Sequence, residues 1–295
     1  MPKKKVLVIV GPTASGKSSL AVRLAKKFGG EIISADSRQV YKGLDIGTGK
    51  ITKKEMWGVQ HHLLDVASPK KQFSVSEYKK LAEEKMGKIK FPIIVGGTGF
   101  YIDALTGRTD FPEVPPNKSL RKKLNRKSSA ELFNLLKKKD PRRAKTIDPN
   151  NKVRLVRALE IVGALGKVPT IPKLSRTLEY KFIYVGLKPD NLDERIYKRL
   201  IKRISGIIRE TKKLPFERAY ELGLEYRYAA IYLKKKISKK EFVEKLNTAI
   251  RHYAKRQMTW FKRNKEIKWF TLSSVEGFKP DEYGKIEKYV KRMIG

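Results

Sequence analysis

Val6-Leu7-Val8-Ile9-Val10 runs directly into Gly11-Pro12-Thr13-Ala14-Ser15-Gly16-Lys17-Ser18, and this join decides the fold. The first five residues are apolar and mostly β-branched, the pattern of a central parallel strand buried on both faces. The next eight fit G-x-x-x-x-G-K-[ST] in full, and Leu20, Leu24 and Phe28 then recur at helical spacing. Strand, glycine loop and amphipathic helix in that order are the setting in which this motif binds phosphate. The glycines let backbone N–H groups curl around an anion, and the helix N-terminus adds partial positive charge. Lys17 is expected to reach the terminal phosphate and Ser18 to ligand Mg²⁺. The loop implies a di- or triphosphate ligand; it does not by itself imply ATP.

Outward from this join, Glu31–Ser34, Phe91–Val95, Phe182–Leu187 and Ile267–Leu272 read as further strands separated by helical stretches. That alternation predicts an α/β fold, a P-loop NTPase-like parallel sheet flanked by helices. The middle of the chain has another texture. Pro112, Pro115 and Pro116 mark a boundary, and lysine- and arginine-rich helical patterns follow, broken at Asp140-Pro141 and Asp148-Pro149. Pro169 and Pro172 close the section. We expect a mainly helical insertion domain over 112–177 in a catalytic core made of 1–111 and 178–295. After the fourth strand, Asp193–Arg209 and Lys239–Lys262 read as long basic helices.

Charge narrows the class of partner. The 295 residues include 68 Lys and Arg against 30 Asp and Glu, a formal net charge of +38. A surface so basic repels itself unless a polyanion is near, and nucleic acid is the first candidate. Cysteine is absent, which excludes disulfides, thiolate catalysis and Cys-ligated metals. The three histidines leave little for a metal centre: His61 and His62 are adjacent, so on a strand they point to opposite faces. The basic start before Val6–Val10 mimics a signal peptide, but the apolar run is too short and the phosphate loop follows at once. No segment is long enough to span a bilayer. The expectation is a cytoplasmic protein with no membrane partner.

An ATPase would place an aspartate after an apolar strand to hold Mg²⁺ through water. Here Ile93-Ile94-Val95 runs into Gly96-Gly97-Thr98-Gly99 with no acid; Asp36 and Asp65 stay open for that role, though neither follows a long apolar run. The phosphate loop can therefore hold a diphosphate leaving group. A small-molecule or nucleoside kinase and a non-catalytic RNA-binding protein are the competing readings. The missing acid and basic surface weigh against the first, and the intact Lys17, Ser18 and Asp36 against the second.

Several stretches, in order, resemble the tRNA dimethylallyltransferases (isopentenyltransferases). They are Gly11–Ser18, Asp36-Ser37-Arg38-Gln39-Val40-Tyr41, Asp45–Lys50, Gly58–Asp65, Gly96–Tyr101, Arg157-Ala158-Leu159-Glu160 and Tyr253–Phe261. Gln60 departs from a usual proline, and Gly223-Leu224-Glu225-Tyr226 from a Gly-Tyr-Lys-Glu-like stretch. The segment after Arg203 looks shortened. The resemblance implies transfer of a dimethylallyl group from dimethylallyl diphosphate to the exocyclic N6 amine of adenosine 37, beside the anticodon of tRNAs reading codons that begin with U. It implies Asp36 as the base, Arg203 on the diphosphate and Thr98 near the target base. Diphosphate would sit on Gly11, Pro12, Thr13, Ala14, Ser15, Gly16, Lys17 and Ser18, with Mg²⁺ as cofactor on Ser18. Contacts to tRNA would come from Asp36, Ser37, Arg38, Gln39, Thr98, Val153, Arg154, Leu155, Val156 and Arg157. Arg121, with Lys118, Lys122, Lys123, Arg126 and Lys127 of the basic insertion, is expected to grip phosphates of the anticodon stem-loop. His252, Lys255, Arg256, Lys262 and Arg263 of the late helix are expected to help. Tyr253, Trp260 and Phe261 are read as helix core. A monomer is expected.

Overall fold

A computed structural model describes residues 3–109, 112, 114–170, 179–275 and 277–295. The chain separates into two compact units, Met1–Thr106 with Arg176–Gly295, and Gly107–Ser175. Phe111 and Pro172, which bear on where the insertion begins and ends, lie outside the described residues.

In the larger unit, β1 (Lys4–Val10), β2 (Glu31–Ser34), β3 (His61–His62), β4 (Pro92–Val95), β5 (Tyr180–Pro189) and β6 (Lys268–Leu272) form one sheet in the order β3-β2-β4-β1-β5-β6. Every pairing is parallel. The sheet thus has the expected architecture and one more strand than the sequence suggested: β3 pairs its two histidines with Ile32 and Ile33.

Alternation along β1 builds two cores at once, because successive side chains leave opposite faces. Val6, Val8 and Val10 face Tyr78 of α3 (Val75–Lys88) and Tyr101 of α4 (Gly99–Leu105). Leu7 and Ile9 face α1 (Lys17–Phe28) and α13 (Pro280–Ile294). A short helix, α2 (Lys53–Met56), precedes β3. A third cluster joins α9 (Leu192–Thr211), α11 (Leu224–Leu233) and α12 (Lys239–Phe261) through Ile196, Leu200, Ile204, Ala229, Phe242 and Leu246. Between α9 and α11 lies α10 (Phe216–Leu222).

The smaller unit consists of α5 (Lys118–Leu124), α6 (Ser129–Lys139), α7 (Pro141–Ala144) and α8 (Lys152–Leu165). Asn117, Ser128, Asp140 and Asn151 cap the four helices with their side chains. Leu124, Leu132, Leu136, Leu155, Val156 and Leu159 make its core.

Candidate active site

The phosphate loop closes β1 and opens α1. Gly16 is the N-cap at φ 86, a left-handed conformation that turns the following amides toward the loop's centre. Lys17 folds back, donating to the Pro12 carbonyl at 2.6 Å and to Ser15 Oγ at 3.4 Å. The residue is half-buried, and desolvation of its ammonium, with Arg199 and Arg195 adding to it and Asp36 opposing, lowers its pKa to about 7. The loop therefore holds its positive charge at a cost. Ser18 is exposed at the start of α1.

Asp36 lies two residues beyond the end of β2, at the carboxyl edge of the sheet, where ligands of α/β folds sit. Its Oδ1 accepts the amides of Arg38 at 2.8 Å and Gln39 at 3.3 Å, so the acid fixes its own turn. The neighbouring Ser37 amide donates to Thr98 Oγ1 at 3.0 Å. Thr98 donates its own amide to the Ala35 carbonyl at 3.1 Å. The two turns approach so closely that a Cβ on Gly96 would lie 2.1 Å from the Ala35 oxygen, and glycine is required there.

Both turns and the phosphate loop open on one cleft of 1080 Å³, lined by Lys17, Asp36, Ser37, Arg38, Gln39 and Arg203 among others. Three helical side chains not singled out in the sequence hold it in shape. Gln257 of α12 is only 5% exposed. Its Oε1 accepts the Thr13 amide and its Nε2 donates to the Gly97 carbonyl, both at 2.8 Å, bridging the phosphate loop to the Thr98 turn. Glu210 of α9 accepts the amides of Asp45, Ile46 and Gly47 at 3.0, 2.6 and 2.8 Å, and the Tyr226 hydroxyl at 2.9 Å. Arg199 of α9 donates to Thr13 Oγ1 at 3.3 Å and to the Gly49 carbonyl at 3.0 Å. Burial first, then Arg203, lowers its guanidinium to about 10, which leaves it charged at neutral pH. Tyr253 of α12 also lines the cleft, and burial followed by the charge of Asp36 raises its phenol.

Arg203 reaches the cleft but is engaged otherwise than expected. It donates to the Ile46 carbonyl at 2.6 Å and to that of Gly47, and pairs with Glu225 at 3.3 Å. The arginine in hydrogen-bond contact with the phosphate loop is Arg199. The unusual Glu225-Tyr226 pair has a use here, one residue holding Arg203 and the other Glu210.

In the smaller unit, the Val153–Arg157 stretch divides by register. Val153 is 80% exposed and Arg154 is exposed beside it, whereas Leu155 and Val156 are buried in the helical core. The side chains of Leu155 and Val156 belong to that core, so of this stretch Val153 and Arg154 present exposed side chains. Arg157 pairs with Glu160 at 3.4 Å and donates to the Val114 carbonyl at 2.9 Å. Arg121 forms a two-pronged pair with the buried Glu160, both bonds at 2.8 Å. Burial would raise the Glu160 carboxyl, but Arg121, the Asn117 amide and Arg157 together hold it below the usual range. Arg121 is thus engaged by Glu160, while Lys118, Lys122, Lys123, Arg126 and Lys127 stand exposed.

On α12, Phe261 is core as expected. Trp260 is half-buried, donating to Asp103 at 2.9 Å, with the Arg263 guanidinium 3.8 Å above its ring. His252, Lys255, Arg256, Lys262 and Arg263 are exposed. His61 donates from Nδ1 to the Val59 carbonyl at 2.8 Å, and His62 Nε2 meets Glu31 at 2.7 Å. No group of three or more His, Cys, Asp or Glu that could hold a metal occurs among the described residues. The donor chemistry fits Mg²⁺ in one way: the exposed Ser18 hydroxyl can add a ligand to an ion already carried by phosphate oxygens and water. No helix among the described residues is long and apolar enough to cross a membrane.

The fold and cleft define a phosphate-loop α/β protein whose glycine-rich loop shares one chamber with a carboxylate. A family model described as IPP transferase matches residues 39–264. The tRNA dimethylallyltransferase of Anoxybacillus flavithermus is 41% identical over 290 residues, covering 92% of this chain and 91% of that protein. The tRNA dimethylallyltransferase of a Thermoanaerobacter species is 41% identical over 314 aligned positions, covering 98% and 96%. Among solved structures, the tRNA isopentenylpyrophosphate transferase of Bacillus halodurans aligns with TM-score 0.72 and 35% identity over 98% of this chain and 96% of that one. A eukaryotic dimethylallyltransferase acting on tRNA aligns with TM-score 0.86 and 26% identity, over 99% of this chain and 79% of that one. The chain belongs to the IPP transferase family.

Proposed function

We propose that the protein transfers a dimethylallyl group from dimethylallyl diphosphate to N6 of adenosine 37 in tRNAs that read codons beginning with U, releasing diphosphate. The observation that carries this reading is the shared cleft: Asp36 and the phosphate loop face one chamber, and the charge of Asp36 acts on Lys17.

The adenine amine is a poor nucleophile because its lone pair is delocalised into the ring. It must lose a proton as the N–C bond forms, and Asp36 is the group to take it. Oδ1 is engaged by the Arg38 and Gln39 amides, and Oδ2 accepts no bond among the described residues, which leaves it for the substrate. On the other side the C–O bond breaks and charge builds on the diphosphate. The loop amides and Lys17 meet that charge, the amides already oriented before reaction. Mg²⁺, when bound through Ser18, neutralises part of it. Thr98 fixes the Asp36 turn through Ser37. Arg199 and Arg203 hold the Asp45–Gly49 stretch over the loop. The target base must leave its stack to enter the chamber. Exposed cations of the helical unit, with Arg154 and Val153, hold the anticodon stem-loop. The chamber is completed within one chain, which supports action as a monomer, and we place the enzyme in the cytoplasm with its tRNA.

Incubation with dimethylallyl diphosphate, Mg²⁺ and an unmodified tRNA bearing adenosine 3′ of an A-ending anticodon should give a prenyl adduct by mass spectrometry. Asp36→Asn should keep tRNA affinity and lose at least about a hundredfold in kcat. ATP-dependent phosphoryl transfer with no adduct would favour the kinase reading.

A further inference from the structure

Helix α9 sends three arginines into the cleft at successive turns, Arg195, Arg199 and Arg203. Two have partners. Arg203 holds carbonyls and Glu225, and Arg199 holds Thr13 and Gly49. Arg195 is different. It is 8% exposed, and its Nη1 has no hydrogen-bond partner. Its Nη2 lies beside the phosphate loop, 3.5 Å from where a Cβ on Gly16 would stand. Glu282 is the acid whose charge acts on it. That carboxylate is already committed, Oε1 to the amide and hydroxyl of Ser273 and Oε2 to the Lys279 amide.

A buried guanidinium without an acceptor is costly, and folds keep one where an anion completes it. Arg195 lines the cleft, with its guanidinium beside Gly16 of the phosphate loop. We propose that Arg195 is a direct ligand of the phosphate group seated over Gly16–Ser18, adding a guanidinium donor to the loop amides and Lys17. The proposal rests on the loop being a diphosphate cradle. It accounts for the orphaned Nη1 of a guanidinium that lies beside the phosphate loop.

The test is titration calorimetry with inorganic diphosphate and Mg²⁺ on the full chain, comparing wild type with Arg195→Gln. Loss of one charge-assisted contact predicts at least about tenfold weaker binding, with tRNA affinity unchanged. The unliganded melting temperature should not fall, since no bond among the described residues is lost, while the stabilisation given by saturating diphosphate should shrink. A Kd within threefold of wild type overturns the proposal, whatever the melting temperature. Should the glutamine variant fail to fold, Arg195→Met, which keeps the bulk of the stem, is titrated under the same criterion. Wild-type protein that binds diphosphate but never prenylates tRNA would defeat the functional reading and leave this one standing. A glutamine variant that binds like wild type would do the reverse.

Discussion

Lys17 is where residue chemistry most directly becomes behaviour. In the free protein its ammonium is buried among Arg199 and Arg195, and its pKa falls to about 7. In the complex the phosphate charges favour the protonated form and raise it again. The sign follows. Below pH 7 the lysine is protonated in both states and binding takes up no proton. Above pH 7 the free lysine is largely neutral, so binding must take one up, and affinity falls as pH rises. Between pH 7 and 9 the diphosphate Kd should increase by up to about tenfold per pH unit. Calorimetry at pH 8 in two buffers of different ionisation enthalpy should show close to one proton taken up per diphosphate. Lys17→Met should bind weakly and lose most of this pH dependence. The unliganded protein should respond in the opposite sense. A lysine lowered by folding penalises the folded state while it is protonated, so stability attributable to Lys17 rises between pH 7 and its ordinary range near 10.5.

At the scale of elements, helices α9 and α12 act as braces for loops that carry the chemistry. Gln257 satisfies one amide of the phosphate loop and one carbonyl of the Gly97–Thr98 turn. Gln257→Ala leaves a part-buried amide and a buried carbonyl unpaired and should cost roughly 2 kcal/mol. The expected phenotype is a lowered melting temperature together with at least about a tenfold fall in kcat/KM for the donor, while tRNA affinity stays near wild type. An unchanged kcat/KM in a destabilised protein would make Gln257 a purely structural residue. The same elements show what could be read from sequence. The β1–loop–α1 join is a local pattern and was legible residue by residue. The five longer strands announced themselves as apolar runs. β3 did not, since two histidines paired to Ile32 and Ile33 make no run at all. The braces were hidden because their partners lie far along the chain, with 160 residues between Gln257 and Gly97 and 163 between Glu210 and Gly47. A faint signal exists: Ile250, Ala254, Gln257 and Phe261 are the buried stripe of α12, and an uncharged polar residue on such a stripe must find buried partners. Glu160 on α8 carries the same mark. Its partner Arg121 looked like one more RNA-binding cation because sequence cannot tell which cation of a basic helix meets a buried acid.

At the scale of the whole molecule, the net charge of +38 has to be divided between cations that build the protein and cations that meet RNA. Arg121, Arg157, Arg199 and Arg203 belong to the first group, since each holds a carboxylate or a carbonyl. Lys118, Lys122, Lys123, Arg126 and Lys127 are exposed and are the second group's candidates in the helical unit. The two groups respond differently to substitution and to salt. A cation that neutralises an RNA phosphate releases counterions on binding, so log Kd depends linearly on log salt. Each lost contact of this kind reduces the slope by about 0.7 to 0.9. Lys122→Ala with Lys123→Ala should therefore weaken tRNA binding, flatten the salt dependence measurably and leave the melting temperature alone. Arg121→Ala should do the opposite. It strips the buried Glu160 of its two-pronged partner and should destabilise the helical unit by roughly 2–3 kcal/mol, with the salt slope of any folded protein unchanged. Fluorescence anisotropy of a labelled anticodon stem-loop over a salt series, run beside thermal denaturation, separates the two effects. A flattened slope in Arg121→Ala at wild-type stability would return Arg121 to the RNA surface and require another partner for Glu160.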